Sequence, residues 1–225
     1  AKVVLFRQKR IKALLVGALN RCTFIGLSTE INQLIYPFCP MKRLFFFFAC
    51  LLAISLSLQA QELLVGSYNI RYDNPDDVKR GNGWMQRLPV ISDLLTYEDP
   101  DIFGVQEALT HQVADLQRSL PAYDYVGVGR EDGKEQGEYA AVFYRRDRFK
   151  RLRSGHFWLS ETPERPSFGW DAACVRICSW VELEDQPTKR RLFFFNLHLD
   201  HVGKVARLAS AHLVLSKIQS LAGAS

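Results

Sequence analysis

Asp99-Pro100-Asp101-Ile102-Phe103-Gly104-Val105-Gln106-Glu107 is the stretch from which the rest of the chain can be ordered. Ile102 to Val105 is a short apolar run bounded by Pro100 and by polar residues. It is too short for a helical repeat and reads as a buried strand. Gln106 and Glu107 then fall at the rim of that strand, where a carboxylate meets solvent or ligand. Glu107 is a candidate ligand for a hard cation such as magnesium, which takes oxygen donors and keeps several waters. A glutamate that only terminates a strand is the competing reading on these residues alone.

Outward from this strand, Leu63 to Arg71 reads as a first strand that turns polar at its end. Asp73 to Asp77 and Gly81-Asn82-Gly83 read as an irregular acidic loop. Leu88, Ile91, Leu94 and Leu95 recur at helical steps and predict a helix over Gln86 to Tyr97, with Pro89 tolerated in its first turn. A second helix is expected over His111 to Leu120 and strands over Tyr123 to Arg130 and Tyr139 to Tyr144. Phe149 to Leu159 is expected to pair with the latter through a turn at 145–148. Cys174 to Leu183 and Arg190 to His198 read as adjacent strands. Val205 to Leu221 reads as a helix that buries Leu208, Ala211, Leu215 and Ile218. Consecutive strands flanked by few helices favour an α+β layered sandwich over a doubly wound parallel sheet. No GxGxxG or GxxxxGK[ST] occurs, so a dinucleotide or P-loop site has no support.

The formal charge of +5 suggests a polyanion binder, but its distribution does not. Residues 1–60 hold eight of the 29 basic residues and one of the 24 acidic ones, so residues 61–225 are slightly acidic. Met41-Lys42-Arg43, the apolar run Leu44 to Leu58 and Gln59-Ala60 have the layout of a secretory signal peptide cleaved near Ala60. The run is shorter than the roughly 20 residues a membrane span needs. The expectation is therefore a spurious upstream extension at 1–40, a signal peptide at 41–60, and an exported periplasmic or extracellular product with no stable membrane span. Of the five cysteines only Cys174 and Cys178 lie beyond the leader. Placed on one strand they would sit roughly 13 Å apart, too far for a mutual disulfide, and are expected to be buried thiols. No Cys/His spacing suggests zinc.

Three strand ends carry the chemistry. Asn69 closes the first strand, Glu107 the central one, and Asn196-Leu197-His198-Leu199-Asp200-His201 the last. An amide, a carboxylate and an imidazole at one rim suit metal-assisted hydrolysis of a phosphate ester. Taken singly, a strand-end Asn that caps a turn and a His satisfied in the core are the competing readings.

Ser67-Tyr68-Asn69-Ile70-Arg71, Pro100-Asp101-Ile102-Phe103-Gly104-Val105-Gln106-Glu107 and Asn196-Leu197-His198-Leu199-Asp200-His201 resemble, in order, the first three motifs of the endonuclease/exonuclease/phosphatase superfamily. Phe157 to Pro163 and Gly169 to Cys174 resemble segments of its secreted bacterial branch. The resemblance covers Leu63 to Ser225. It implies a four-layer α/β/β/α sandwich and a hydrolase of phosphate esters dependent on magnesium or manganese. In that family's pattern Glu107 binds the metal, Asn69 lies beside metal and phosphate, and His198 contacts the scissile phosphate and supports the leaving group. Asn196, Asp200 and His201 take flanking, substrate-binding positions. The implied substrate is a phosphorylated small molecule, a lipid or a nucleic acid, and the implied state is a monomer.

The family continues with Gly-Asp-Phe/Leu-Asn, whose Asp activates the water, and ends with Ser-Asp-His. Neither motif occurs in this sequence. The expectation is an incomplete, C-terminally truncated domain over 61–225 with part of its second sheet uncovered, inactive as it stands. A non-catalytic phosphate- or partner-binding domain of the same fold is the alternative.

Overall fold

The computed structural model describes residues 3–8 and 62–223. The expected signal peptide and all of the expected upstream extension except 3–8 lie outside the described residues. In chain order the elements are β1 (Val3–Gln8), β2 (Leu63–Asn69), α1 (Pro75–Lys79), α2 (Trp84–Glu98), β3 (Ile102–Gln106), α3 (Thr110–Ser119), β4 (Tyr123–Val126), β5 (Val142–Arg145), β6 (Phe149–Trp158), β7 (Ile177–Asp185), β8 (Arg190–Leu197) and α4 (Lys204–Ala222).

The first sheet has the order β1-β2-β3-β5-β4, and the second is β6-β7-β8. β3 runs parallel to β2 and antiparallel to β5. It is buried along its whole length, as its uninterrupted apolar run requires. On one face of this sheet Phe103, Val105 and Phe143 pack against Trp84, Ile91 and Leu95 of α2 and Val113 and Leu116 of α3. The second sheet lays Phe157, Cys178, Phe195 and Leu197 against Leu213, Val214 and Ile218 of α4. With β3 facing β8 across the two sheets, the layers follow the expected α/β/β/α sequence.

Several boundaries and pairings differ from the sequence expectation. β6 does not pair with β5. Both edges of β5 are taken by β3 and β4, and the chain crosses at 146–148 into the second sheet, where β6 pairs with β7. The acidic loop contains α1, started by Pro75 at its first position and by the Asn74 side chain, which accepts from the Asp76 N–H. Helix α2 begins at Trp84, so exposed Pro89 lies inside it and not in its first turn. Packing of Trp84, Ile91 and Leu95 on either side holds the helix across the missing N–H. Cys174 precedes β7, so the strand argument for the cysteines does not apply: Cys178 is buried, Cys174 is half-buried, and both are free thiols. The face of α4 is also different. Ala206, Ser210 and Val214 are buried, while Leu208 and Leu215 are 63% and 59% exposed.

Among the described residues no helix is long and apolar enough to cross a membrane.

Candidate active site

Parallel pairing sets Asn69 opposite Gln106 at the ends of β2 and β3. The Asn69 Nδ2 donates to Glu107 Oε1 at 2.7 Å, and its Oδ1 accepts from the Arg71 N–H at 2.9 Å. Arg71 and Glu107 both adopt left-handed backbone, with φ of 61° and 62°. For residues with a side chain such conformations cost on the order of 1–3 kcal/mol each and persist only where the surroundings enforce them. Here the enforcing groups are visible. Arg87 donates to the carbonyls of Ile70, Arg71 and Tyr72, and Arg71 is paired with Asp77. Buried Gln112 donates to the Arg71 carbonyl and accepts from the N–H groups of Asp73 and Leu109. One amide thus ties the loop after β2 to the loop after β3.

The second half of the rim comes from β8. Asn196 is buried and faces the first sheet, donating to the carbonyls of Val105 and Ala141 at 2.8 Å each and accepting from Gln106 Nε2 at 2.6 Å. Gln106 reaches Ser67 Oγ as well. This staple fixes the tip of β8 over the tip of β3, which brings His198 to the rim that carries Glu107. Asn196 has both amide protons engaged within the protein, so the staple is its role in this structure.

Beyond His198 the chain turns around Asp200. Its Oδ1 accepts from the N–H groups of Val202 and Gly203, and its Oδ2 from those of Ala173 and Cys174 and from Arg176 Nε. Burial pushes the Asp200 carboxyl up. The Gly203, Val202, Ala173 and Cys174 donors together outweigh it and hold the group well below the usual carboxylate range. Asp200 is therefore a knot between two loops, 3% exposed. Arg176, 5% exposed, also reaches His198 Nδ1 at 3.2 Å and His201 Nδ1 at 3.1 Å. Burial first, then the Arg176 charge, hold His198 below the ordinary histidine value, while the nearby Glu107 carboxylate pulls the other way. Arg130, ion-paired with Glu138, lines a small cavity with Arg176 and His198. Burial raises the Glu138 carboxyl, against the pull of Arg130.

Of the six residues singled out in the sequence, the structure brings Asn69 and Glu107 into direct contact. It joins His198, Asp200 and His201 through Arg176, and it sets Asn196 beneath them. Arg176 and Gln112 were not anticipated, and Gln106, expected at the rim facing solvent or ligand, is instead buried in the contact with Asn196. A charge at position 176 at the entrance to an apolar strand was the available signal for the first. Nothing in the sequence marked Gln112.

The donor set at Glu107 and Asn69 fits a hard divalent ion. Among the described residues no hydrogen bond reaches the second Glu107 oxygen, and the strained backbone aims the carboxylate at the rim. One open carboxylate oxygen, its partner oxygen held by Asn69, suits an ion that keeps much of its water, as magnesium does. Cys174, Asp200 and His201 also offer ligand atoms within 4.8 Å of one another. The Asp200 oxygens there already accept five N–H donors, so that group does not fit a cation.

No family model matches the chain. Over 70% of its length it is 54% identical to a mannosyl-6-phosphatase of Bacteroides thetaiotaomicron VPI-5482, with a TM-score of 0.69 and 59% of that chain covered. An endonuclease/exonuclease/phosphatase from Bacteroides vulgatus is 45% identical over 70% of this chain and 60% of its own, with a TM-score of 0.68. An uncharacterized protein of Acanthamoeba polyphaga mimivirus is 25% identical over 205 residues, 75% of this chain and 30% of the viral protein. The chain thus spans about six-tenths of the length of these two solved structures. On these likenesses the chain has the endonuclease/exonuclease/phosphatase fold and is similar to proteins of that family over 70% of its length.

Proposed function

We propose that the protein is an exported phosphoesterase that depends on magnesium or manganese and removes phosphate from a phosphorylated small molecule, a sugar phosphate in the first instance. The observation that carries this reading is the Asn69–Glu107 contact at 2.7 Å on a strained rim. The 54% identity to a mannosyl-6-phosphatase supports the substrate class. A bound cation would neutralise the phosphoryl oxygens that build up charge during attack by water. Glu107 would hold that cation, and Asn69 orients its carboxylate. His198 donates a hydrogen bond to a phosphoryl or leaving-group oxygen. Asn196 and Asp200 position these groups from below, and His201 lies at the outer edge of the rim. The group that activates the water belongs to the Gly-Asp-Phe/Leu-Asn motif, which does not occur in this sequence. The chain alone is therefore expected to be slow or inactive.

The test compares the chain alone with a chimera in which it is continued by the C-terminal part of the mannosyl-6-phosphatase. Phosphate release is followed from mannose 6-phosphate and from a phosphodiester, with magnesium and with a chelator. The expected result is metal-dependent release from the monoester by the chimera, lost in Glu107→Gln. A folded chimera that releases no phosphate from either ester, or a Glu107→Gln chimera at full rate, overturns the proposal.

A further inference from the structure

We propose that Arg176 is a positioning residue that fixes His198 and His201 together in the neutral Nε2–H tautomer, so that each ring presents an N–H donor to an anionic oxygen. The guanidinium spends its three nitrogens on three different partners: Nε on Asp200 at 3.3 Å, one terminal nitrogen on His198 Nδ1 at 3.2 Å, and the other on His201 Nδ1 at 3.1 Å. Arginine has only donors and does not lose its proton in a protein. Each Nδ1 facing it must therefore be a bare acceptor. A ring whose Nδ1 is bare carries its one proton on Nε2, and an imidazolium, protonated on both nitrogens, would set N–H against N–H. Flipping either ring would put a C–H where the acceptor stands, and two independent rings point the same atom at one guanidinium.

The arrangement is rigid. Arg176 and Asp200 side chains are 6% and 1% exposed, and Asp200 is anchored by four backbone N–H groups. The charges facing His198 are the Arg176 and Arg130 guanidinium groups against the Glu107 carboxylate. The set therefore favours a neutral ring. The consequence is a pair of hydrogen-bond donors and no proton to hand over. In the function proposed above, His198 stabilises charge on oxygen and does not act as a general acid. The tautomer itself does not depend on that function.

The experiment is a long-range ¹H–¹⁵N correlation spectrum of the whole chain labelled at histidine, at pH 6.5, where an ordinary imidazole is about half protonated. His198→Gln and His201→Gln assign the two rings. The expected result is two rings with a bare Nδ1 and a protonated Nε2. An imidazolium or an Nδ1–H tautomer at either site overturns the proposal. In Arg176→Lys a single ammonium replaces two separate donors, so at least one ring should lose its fixed tautomer. Both rings remaining fixed in that variant would overturn the role of the guanidinium. Should the lysine variant not fold, the spectrum of the unaltered chain decides. Absence of phosphatase activity with the expected spectrum would count against the proposed function and leave this inference standing.

Discussion

Gly104→Ala tests whether the rim is held by the staple between the sheets. A Cβ at position 104 would lie 2.4 Å from Asn196 Cγ, 2.5 Å from its Oδ1 and 2.9 Å from its Nδ2. Asn196 cannot simply withdraw, because it makes three hydrogen bonds of 2.6–2.8 Å to Gln106, Val105 and Ala141. Either the sheets separate around an overpacked contact, at about 1–3 kcal/mol, or the amide leaves and forfeits three hydrogen bonds worth about 0.5–1.5 kcal/mol each. The cheaper route sets the cost, which comes to about 1–3 kcal/mol. The assay is urea unfolding of the chain followed by tryptophan fluorescence. With a slope of about 2 kcal/mol/M for a small domain, the midpoint should fall by about 0.5–1.5 M. Asn196→Ala alone loses the same bonds, and in its presence the added methyl meets empty space. The double variant should therefore be less damaged than the sum of the two by about 2 kcal/mol, within the range measured for residues in contact. A Gly104→Ala midpoint within error of the unaltered chain, or strictly additive losses, would refute the staple.

Asp200→Ala leaves Arg176 and four backbone N–H groups without their acceptor and should cost about 3–5 kcal/mol by denaturant unfolding. The Asp200 carboxyl is held well below its ordinary value of 3.8, so its contribution is complete above that pH and is lost as pH falls through the lower folded value. Asp200→Asn should accordingly flatten the acid side of the stability profile, and an unchanged acid limb would contradict the account. Asn69→Ala removes the donor that orients Glu107 and should weaken manganese binding by about 10–100-fold in a titration, the usual loss when a ligand's outer partner is removed. On α4, Val214→Ala should cost about 1–2.5 kcal/mol as a buried aliphatic truncation, whereas Leu208→Ser and Leu215→Ser should each stay within about 0.5 kcal/mol. The reverse order in a melting series would restore the face read from the sequence.

What the sequence disclosed, and what it hid, divides by the range of the interactions. Asn69, Glu107 and His198 were legible because each ends an apolar run, and the end of a run is a local feature. The pairing of β6 was not legible. Alternation within 149–159 states that a strand exists but not which sheet it joins, and only the occupied edges of β5 decide that. The face of α4 was misread because leucines outweigh small residues in any apolar stripe. In the structure Ala206 and Ser210 form part of the buried face and leave Leu208 and Leu215 outside. Arg176 stood in plain view as a charge before an apolar strand, yet its three partners lie 22 to 25 residues away.

The same distances explain why the site is part of the core and not an addition to it. Period-two alternation turns Ile102, Gly104 and Gln106 of β3 toward the second sheet and Asn196 of β8 toward the first. Gln106 immediately precedes Glu107, and Asn196 lies two residues before His198. The contact that packs the sheets is therefore also the contact that registers a carboxylate on one strand against an imidazole on another. Glycine at 104 is what lets the two strands approach closely enough for an amide to bridge them. A change that slipped either strand by one residue would turn Gln106 or Asn196 outward, and with it separate Glu107 from His198. Loss of the staple should then lower stability and misplace the rim together. Changes at Asn69 should weaken the rim alone, because its bonds run to Glu107 and Arg71 on the outer side and take no part in joining the sheets.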